Sequence, residues 1–414
     1  MGDVGAISSV AAAAVRVTSR ETGVVPALLH AGTPVGEGSR PGVIVGLNTA
    51  PPKTTQSLVE ELVQRGLEPG RDVITTRYTD LRVGKGGGFV RLAGHADPLA
   101  GTGREATFLF RGGGNLSPLH FRKIGAIQAI QGATTLSDLS FIERAGSKAI
   151  TNDRLAAAGL PLPRTIPVQG AEQAIAGLHE IRGAGTGTAV LKKVNSLGGK
   201  DVHFVKSEAD VRRVIDAEPD AGYVLQEFLP AAKDQDVRVH LVWSHDTRTH
   251  EFAHAYVRNR MAGRQTPNLA NGGFPINYVP SPWEQVQAQR AAAVLTEGSA
   301  QPPLHVGLDF FPRAPITATR IERNMELQEL AATGAAGRAE AMAADARNVV
   351  IGEAASSAGT KGTEMVLGDG VNPVTARMAD EILHVRAHGP TSLQPGEMLQ
   401  RARALDPDAL ATGA

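Results

Sequence analysis

The sequence predicts a mixed α/β protein in which a small doubly wound α/β unit precedes a longer α+β region. Two observations carry this. Between residues 41 and 145, short apolar runs bounded by turn residues alternate with helical segments, the pattern of a parallel sheet with crossover helices. Beyond residue 146, strands return on themselves through polar or glycine-rich turns, at 189–205 and 237–258, with helices between the pairs. A chain of 414 residues, 42% of them hydrophobic, is long enough to bury such a pair of cores.

Residues 1–40, rich in Ala, Gly, Ser and Thr, read as an N-terminal tail, disordered in character. The texture changes at Pro41. Gly42–Asn48 is an apolar run suited to a buried parallel strand, and Thr54–Gly66 is an amphipathic helix with Leu58, Leu62 and Val63 on one side. Val73–Thr76 and Thr107–Phe110 are further strands, the last entering Arg111-Gly112-Gly113-Gly114. A helix over Ser147–Ala158 stops at Gly159 and the extended Pro161-Leu162-Pro163. Ala189–Val194 and Val202–Val205 are strands joined by Asn195–Lys200; Glu208–Ala217 is helical and Tyr223–Leu229 a strand. Strands near 237–243 and 252–258 flank a polar turn at Ser244–Thr249. The order closes with helix Pro282–Leu295, strand Val306–Phe311, an alternating strand Ile316–Asn324, an Ala-rich helix Met325–Arg347, strand Val349–Glu353 and helix Val374–Val385.

Composition excludes several function classes. Lys and Arg total 42 and Asp and Glu total 42, so no basic footprint supports a nucleic-acid or anionic-membrane partner. The absence of cysteine removes disulfides, thiol catalysis and thiolate metal sites. No stretch approaches the ~18–20 apolar residues of a spanning helix, and the N-terminus lacks the marks of a signal peptide. Arg in excess of Lys, with abundant Ala and Gly, looks like a GC-rich bacterial genome, which makes each lysine more informative. The expectation is a soluble protein of the cytoplasm.

Three constellations carry chemistry. In strand–Asn195-Ser-Leu-Gly-Gly-Lys200–strand, the bare backbone N–H groups of the glycines can close around an anion, with Lys192 leaving the preceding strand beside it. Alone this is an ordinary turn. Asp309 sits inside an apolar strand, where an unpaired charge is costly. Read on one strand face, Glu322 and Asn324 would join it as hard oxygen ligands suited to Mg²⁺ held with nucleotide phosphates. A buried ion pair with arginine is the competing reading. Third, His250-Glu251-Phe252-Ala253-His254 fits the zinc-hydrolase pattern, which needs a helix. Its surroundings read as a strand, where the histidines stand roughly 13 Å apart and share no metal.

Taken in order, these elements resemble the ATP-grasp superfamily, most closely the RimK-type carboxylate–amine (glutamate/peptide) ligases, over about residues 105–325. Ser147-Lys148 through Gly159-Leu-Pro-Leu-Pro163-Arg-Thr165 resembles the opening helix and its turn, and Val190-Leu-Lys192 with Ser196-Leu-Gly198-Gly199 resembles the second lysine strand and its phosphate-covering loop. Gln226-Glu227-Phe228-Leu229 resembles the hinge that holds adenine and ribose. Asp236-Val-Arg238, Arg258 and Asn268 through Gly273 are similar to segments beside the phosphates and acceptor. Asp309 with Glu322-Arg-Asn324 resembles the metal-binding acid and the "E-x-N" strand. Val350–Gly359 is similar to that same strand, with Glu353 as the alternative ligand and Ala355 where Asn belongs.

The resemblance implies an ATP-grasp fold, two α+β subdomains gripping ATP, after the small α/β domain. Its divisions are a small domain at 41–145, the grasp at 146–370 (split 146–229 and 230–370, with a helical insertion at about 325–347) and a C-terminal helix and tail at 371–414. It further implies ATP and Mg²⁺ (or Mn²⁺) as cofactors. Lys148, Lys192, Ser196, Gly198, Gly199, Gln226, Glu227, Phe228, Leu229 and Asp236 would bind nucleotide, Asp309, Glu322 and Asn324 metal, and Arg238, Arg258 and Asn268 the reacting groups. The implied reaction joins a small-molecule carboxylate and an amine through an acyl phosphate, releasing ADP and phosphate. An amino acid, a peptide and a protein side chain or terminus stay open as substrates, as does a homo-oligomer. The alternatives are a nucleotide-binding protein with an eroded metal site and, remotely, a zinc hydrolase through His250, Glu251 and His254.

Overall fold

The computed structural model describes residues 42–47, 53–111, 116–183, 187–196, 199, 201–264, 266–345, 347–356 and 358–405. The tail expected at 1–40 lies outside them. The first unit comprises β1 (Val43–Leu47), α1 (Lys53–Gln64), β2 (Val73–Arg77), β3 (Leu81–Val83), β4 (Phe89–Leu92), β5 (Pro98–Gly101), β6 (Ala106–Arg111), α2 (Pro118–Gln128), β7 (Ala133–Thr135) and α3 (Leu139–Gly146). Strands β2-β1-β6-β7 form a parallel sheet, and β3-β4-β5 a small antiparallel one. All five residues of β1 are buried because the sheet is covered on both faces, which explains their unbroken apolar run. The chain leaves β1 for β2 on one side and returns to β6 on the other. The strand order therefore reverses between β1 and β6.

The second unit runs α4 (Lys148–Ala157), β8 (Thr165–Val168), α5 (Gly170–Arg182), β9 (Ala189–Lys193), β10 (Val202–Val205), α6 (Glu208–Ile215) and β11 (Tyr223–Glu227). Its antiparallel sheet has the order β10-β9-β11-β8. Ala189, Leu191, Tyr223 and Leu225 pack on α5 and α6 through Leu178, Val211 and Ile215. With a side-chain period of two, Val190, Lys192, Val224 and Gln226 must then point the other way.

The third unit comprises α7 (Pro230–Asp234), β12 (Gln235–Ser244), β13 (Thr249–Asn259), β14 (Phe274–Asn277), α8 (Pro282–Thr296), β15 (His305–Pro312), α9 (Ala318–Ala332), α10 (Ala335–Ala344), β16 (Val349–Ala355), α11 (Lys361–Leu367), α12 (Pro373–His388) and α13 (Glu397–Ala404). Its sheet, β14-β13-β12-β15-β16, is antiparallel throughout. Val237, Val239, Leu241, Val306, Leu308 and Phe310 bury one face together with residues of α8. Helix α12 packs Met378 and Ile382 into the same core as Val43, Leu47 and Leu58, tying the chain's end to the first sheet. Among the described residues, no helix is long and apolar enough to cross a membrane.

One element differs from expectation. Residues 316–324 are not a strand: α9 covers Ala318–Ala332, and the Ala-rich stretch divides into α9 and α10 at Gly334 (φ 124°). Thr317 caps α9, its hydroxyl accepting from Arg320 N at 3.2 Å. The apparent alternation at 316–324 is a helix start whose inward side carries Asn324 and Leu327.

Candidate active site

A β-bulge builds the centre of the site. Asp309 pairs with Glu353 across β15 and β16, whereas the next residue, Phe310, pairs with Ile351. Gly352 is the extra residue, and the bulge turns Glu353 away from the core that Ile351 joins. A Cβ at Gly352 would lie 2.4 Å from the Phe311 ring, so only glycine leaves Phe311 where it is. Asp309 also stands opposite Arg238 on β12, and Asp236, two residues earlier on that strand, stands opposite Arg258 on β13. The polar face of this sheet thus presents Asp236, Arg238, Arg258, Asp309 and Glu353 together.

The first four side chains are buried and mutually paired, whereas Glu353 is half-buried. Arg238 grips Asp309 through Nε, and through Nη2 at 2.9 Å. Arg258 donates from Nη2 to Asp236 and to Asp309, 2.8 Å each. Burial alone would raise the Asp309 carboxyl, but the flanking Arg238 and Arg258 charges prevail and hold it below its ordinary value. Asp236 shifts upward, chiefly through burial. Burial would likewise raise Glu353; Lys148 and Lys192 keep it low.

The sheet of the second unit faces this arrangement. Lys192 Nζ bonds Gln226 Oε1 at 2.8 Å, approaches Glu353 Oε1 at 3.3 Å and lies 4.8 Å from the Phe311 ring centroid. Burial pushes its ammonium below the ordinary lysine value, against the pull of Glu353. Ser147 caps α4, which brings Lys148 to the same crevice; its Nζ donates to Ser196 O at 2.6 Å and so pins the start of the glycine loop. Lys148, Lys192, Ser196, Gln226 and Glu353 line one continuous pocket. A second cleft shares Gln226 with it and is walled by Val190, Phe204, Phe228, Leu229 and Phe311, beside the backbone of Glu227. Phe204 and Phe228 meet edge to face, their centroids 5.5 Å apart. A polar, cation-rich pocket continuing into a flat apolar cleft suits a phosphorylated compound with an aromatic base.

The remaining expected residues are placed as follows. Gly198 lies outside the described residues; a Cβ on Gly199 would come 2.8 Å from Thr266, so the glycine loop approaches the 264–271 loop. Asn268 lies on that second loop, where its Oδ1 caps Ala270 N at 2.9 Å rather than joining the arginines. Asp236 supports Arg258 and lines neither pocket. Glu322 and Asn324 do not join Asp309, because they stand on α9. Glu322 is exposed, while Asn324 is buried and donates to Tyr278 Oη (3.0 Å) and Val279 O (2.9 Å). The strand beside Asp309 is β16, with Glu353. The zinc reading also fails on geometry. The bulge between His240 and Leu241 sets His250 opposite Trp243 and His254 opposite His240, on opposite faces of the sheet.

Asp309 and Glu353 share a face and are both held ionised. Asp309 is engaged on both oxygens by Arg238 and Arg258, the arginine pairing that the sequence left open, so Glu353 is the freer donor. The two carboxylates completed by phosphate oxygens suit Mg²⁺. The next position on that face of β16 is Ala355, which offers no side-chain ligand. Among the described residues, no group of three or more His, Asp or Glu forms a metal cluster by itself. The residues therefore fit a cation bound jointly with a phosphorylated ligand. Sequence reasoning missed the aromatic walls Phe204 and Phe311; alternation on β10 and β15 was the available signal.

No protein-family model matches the chain, and no curated protein is significantly similar to it in sequence. Its fold is nonetheless matched by solved structures. One is a RimK domain ATP-grasp protein from Sphaerobacter thermophilus DSM 20745, at TM-score 0.50 and 15% identity, covering 82% of this chain and 98% of that one. A second is the ATP-grasp ligase PsnB complexed with precursor peptide PsnA2 and AMPPNP, at 0.52 and 17%, covering 85% and 99%. A third is D-alanyl-alanine synthetase A from Vibrio cholerae O1 biovar eltor str. N16961, at 0.55 and 9%, covering 84% and 99%. At these identities the likeness is one of architecture, and by it the chain has the ATP-grasp fold.

Proposed function

We propose that the chain is an ATP-dependent ligase that joins a carboxylate to an amine. The observation that carries this reading is the meeting of Lys148 of α4, Lys192 of β9 and Ser196 just beyond it with Glu353 of β16, whose strand neighbours Asp309, Arg238 and Arg258 form one buried ion-paired cluster. Phosphoryl transfer needs mainly positioning and charge neutralisation, and no nucleophilic side chain. The apolar cleft takes the adenine beside the Gln226–Leu229 hinge, and the lysines take the phosphates. Asp309 and Glu353 hold the cation, which neutralises charge on the phosphates when bound.

In this reading a substrate carboxylate oxygen attacks the γ-phosphorus and ADP leaves. The amine then attacks the acyl carbon, phosphate departs and the amine loses a proton. Arg238 and Arg258 face the carboxyl carbon and stabilise the charge that develops there. PsnB is complexed with a precursor peptide, and an amino acid or peptide is accordingly the substrate class proposed here. The cytoplasm, where ATP is abundant, is the proposed setting.

A second reading, a nucleotide-binding protein without turnover, is favoured by Ala355, since β16 supplies one acid and no neighbouring ligand. Amino acids labelled with ¹⁸O in their carboxylates separate the two. The ligase moves one label into inorganic phosphate; a binder releases neither ADP nor labelled phosphate.

A further inference from the structure

Arg111 ends β6 with 5% of its surface exposed. Its Nη2 donates to Ala358 O at 3.0 Å, and its Nε is buried without a partner. Among the described residues no carboxylate pairs with it. The other arginines of the site differ: Arg238 and Arg258 each share an aspartate. A guanidinium taken out of water without a counter-charge is expensive, so a native fold keeps one where an anion arrives.

The position has a second mark. Arg111 stands opposite Leu47 at the carboxyl ends of β6 and β1, where the strand order of the parallel sheet reverses. Crevices at such points are where open α/β sheets bind ligands. Two titratable groups that feel its charge, Tyr78 and His305, are neutral. Tyr78 has a buried hydroxyl with no partner, and burial pushes its phenol up. His305 also has an unpartnered Nδ1; burial, then Arg111 and Arg238, push it down. His305 Nε2 lies 3.0 Å from His240 Nδ1, and both imidazoles feel the charge of Arg238. The Ala358–Thr360 segment closes the other side, held by Thr360 N to Thr54 Oγ1 (2.8 Å) and by Tyr256 Oη to Gly359 O (3.3 Å).

We propose that Arg111 binds the free, non-reacting carboxylate of a small amino-acid substrate at this reversal of strand order, while Arg238 and Arg258 face the reacting group. One guanidinium among neutral phenol and imidazole groups matches a monoanion, and its planar fork matches a carboxylate. The burial of Arg111 favours a small molecule over a folded protein's side chain. The inference rests on the ligase reading for the identity of its ligand.

The test is calorimetric titration of the full chain with each common amino acid in both enantiomers, with the carboxamide of any that binds, and separately with Mg²⁺-AMPPNP. At least one amino acid is expected to bind the unaltered protein. Its carboxamide, and the amino acid with Arg111→Gln, should each bind at least tenfold more weakly, with AMPPNP affinity within twofold. Arg111→Met should keep its melting temperature within a few degrees, since it forfeits the one bond to Ala358 O but no ion pair and removes an uncompensated buried charge. Failure of every amino acid to bind, or equal binding by Arg111→Gln, overturns the proposal. Amino-acid binding through Arg111 without AMPPNP binding would uphold this site and sink the ligase reading; AMPPNP binding alone does the reverse.

Discussion

Asp309 and Glu353 face each other across neighbouring antiparallel strands, and the extra residue at Gly352 is what turns Glu353 towards the cleft. Asp309 is buried and Glu353 half-buried, and both sit within a cage of cations. If this pair holds the cation with ATP, Glu353→Gln should reduce turnover about 100-fold or more, the scale of losing one electrostatic partner of the transition state. Glu322→Gln, on exposed α9, should change it less than about twofold. Steady-state ADP release from the two variants checks the assignment.

Gly352→Ala tests the bulge itself. The added Cβ must displace the Phe311 ring, which walls the apolar cleft and lies beneath Lys192. Overpacking of this kind costs about 1–3 kcal/mol. AMPPNP should bind more weakly by roughly 10-fold, as Phe311 leaves its position. Unchanged affinity by calorimetry would show that Phe311 does not line the nucleotide cleft.

Asn324 has a structural job. Its amide links Tyr278 Oη and Val279 O, and Tyr278 in turn donates to Glu284 Oε1 at 2.9 Å. Asn324→Ala should destabilise the fold by about 1–3 kcal/mol, the cost of leaving buried polar groups unpaired. At a temperature where the variant is folded, AMPPNP affinity should be unaltered. Chemical denaturation and calorimetry report the two quantities separately.

Acid sensitivity follows from His250. Burial beneath Trp243 pushes its pKa down to about 4, from an ordinary value of 6.5, against the weaker pull of Pro303 O at 2.7 Å. The unfolded chain therefore binds the proton more readily, and the stabilisation is complete above pH 6.5 and lost as pH falls towards 4. From pH 7 to pH 5 this one residue removes about 2 kcal/mol. His250→Gln should flatten the pH dependence of the urea midpoint by that amount.

The sequence made most of this architecture legible because its signals were local. The apolar run of β1, the two-residue alternation of β9 and β12 and the capped start of α4 each announce themselves within ten residues. The lysines and the Gln226–Leu229 hinge were legible for the same reason. Glu353 was harder, because a bulge sets its direction and bulges leave no periodic trace. Ile316–Asn324 misled because a capped first turn with Ile316, Ile321 and Asn324 imitates alternation until the spacing of Asn324 and Leu327 is weighed. The strands β3 to β5, of three or four residues, are too short for a period to show. Arg111 stood in plain view before a glycine run. What marks it, a buried charge without a partner, exists only once the chain has folded.

The central claim is that this cleft couples ATP cleavage to the joining of a carboxylate and an amine. Its most direct test is incubation of the full chain with ATP, Mg²⁺ and pooled amino acids and short peptides, with nucleotides and products followed by mass spectrometry. The account predicts ADP, inorganic phosphate and a new compound whose mass is the sum of two substrates less one water. AMP and pyrophosphate as products, or tight ATP binding with no turnover in any pool, would contradict it.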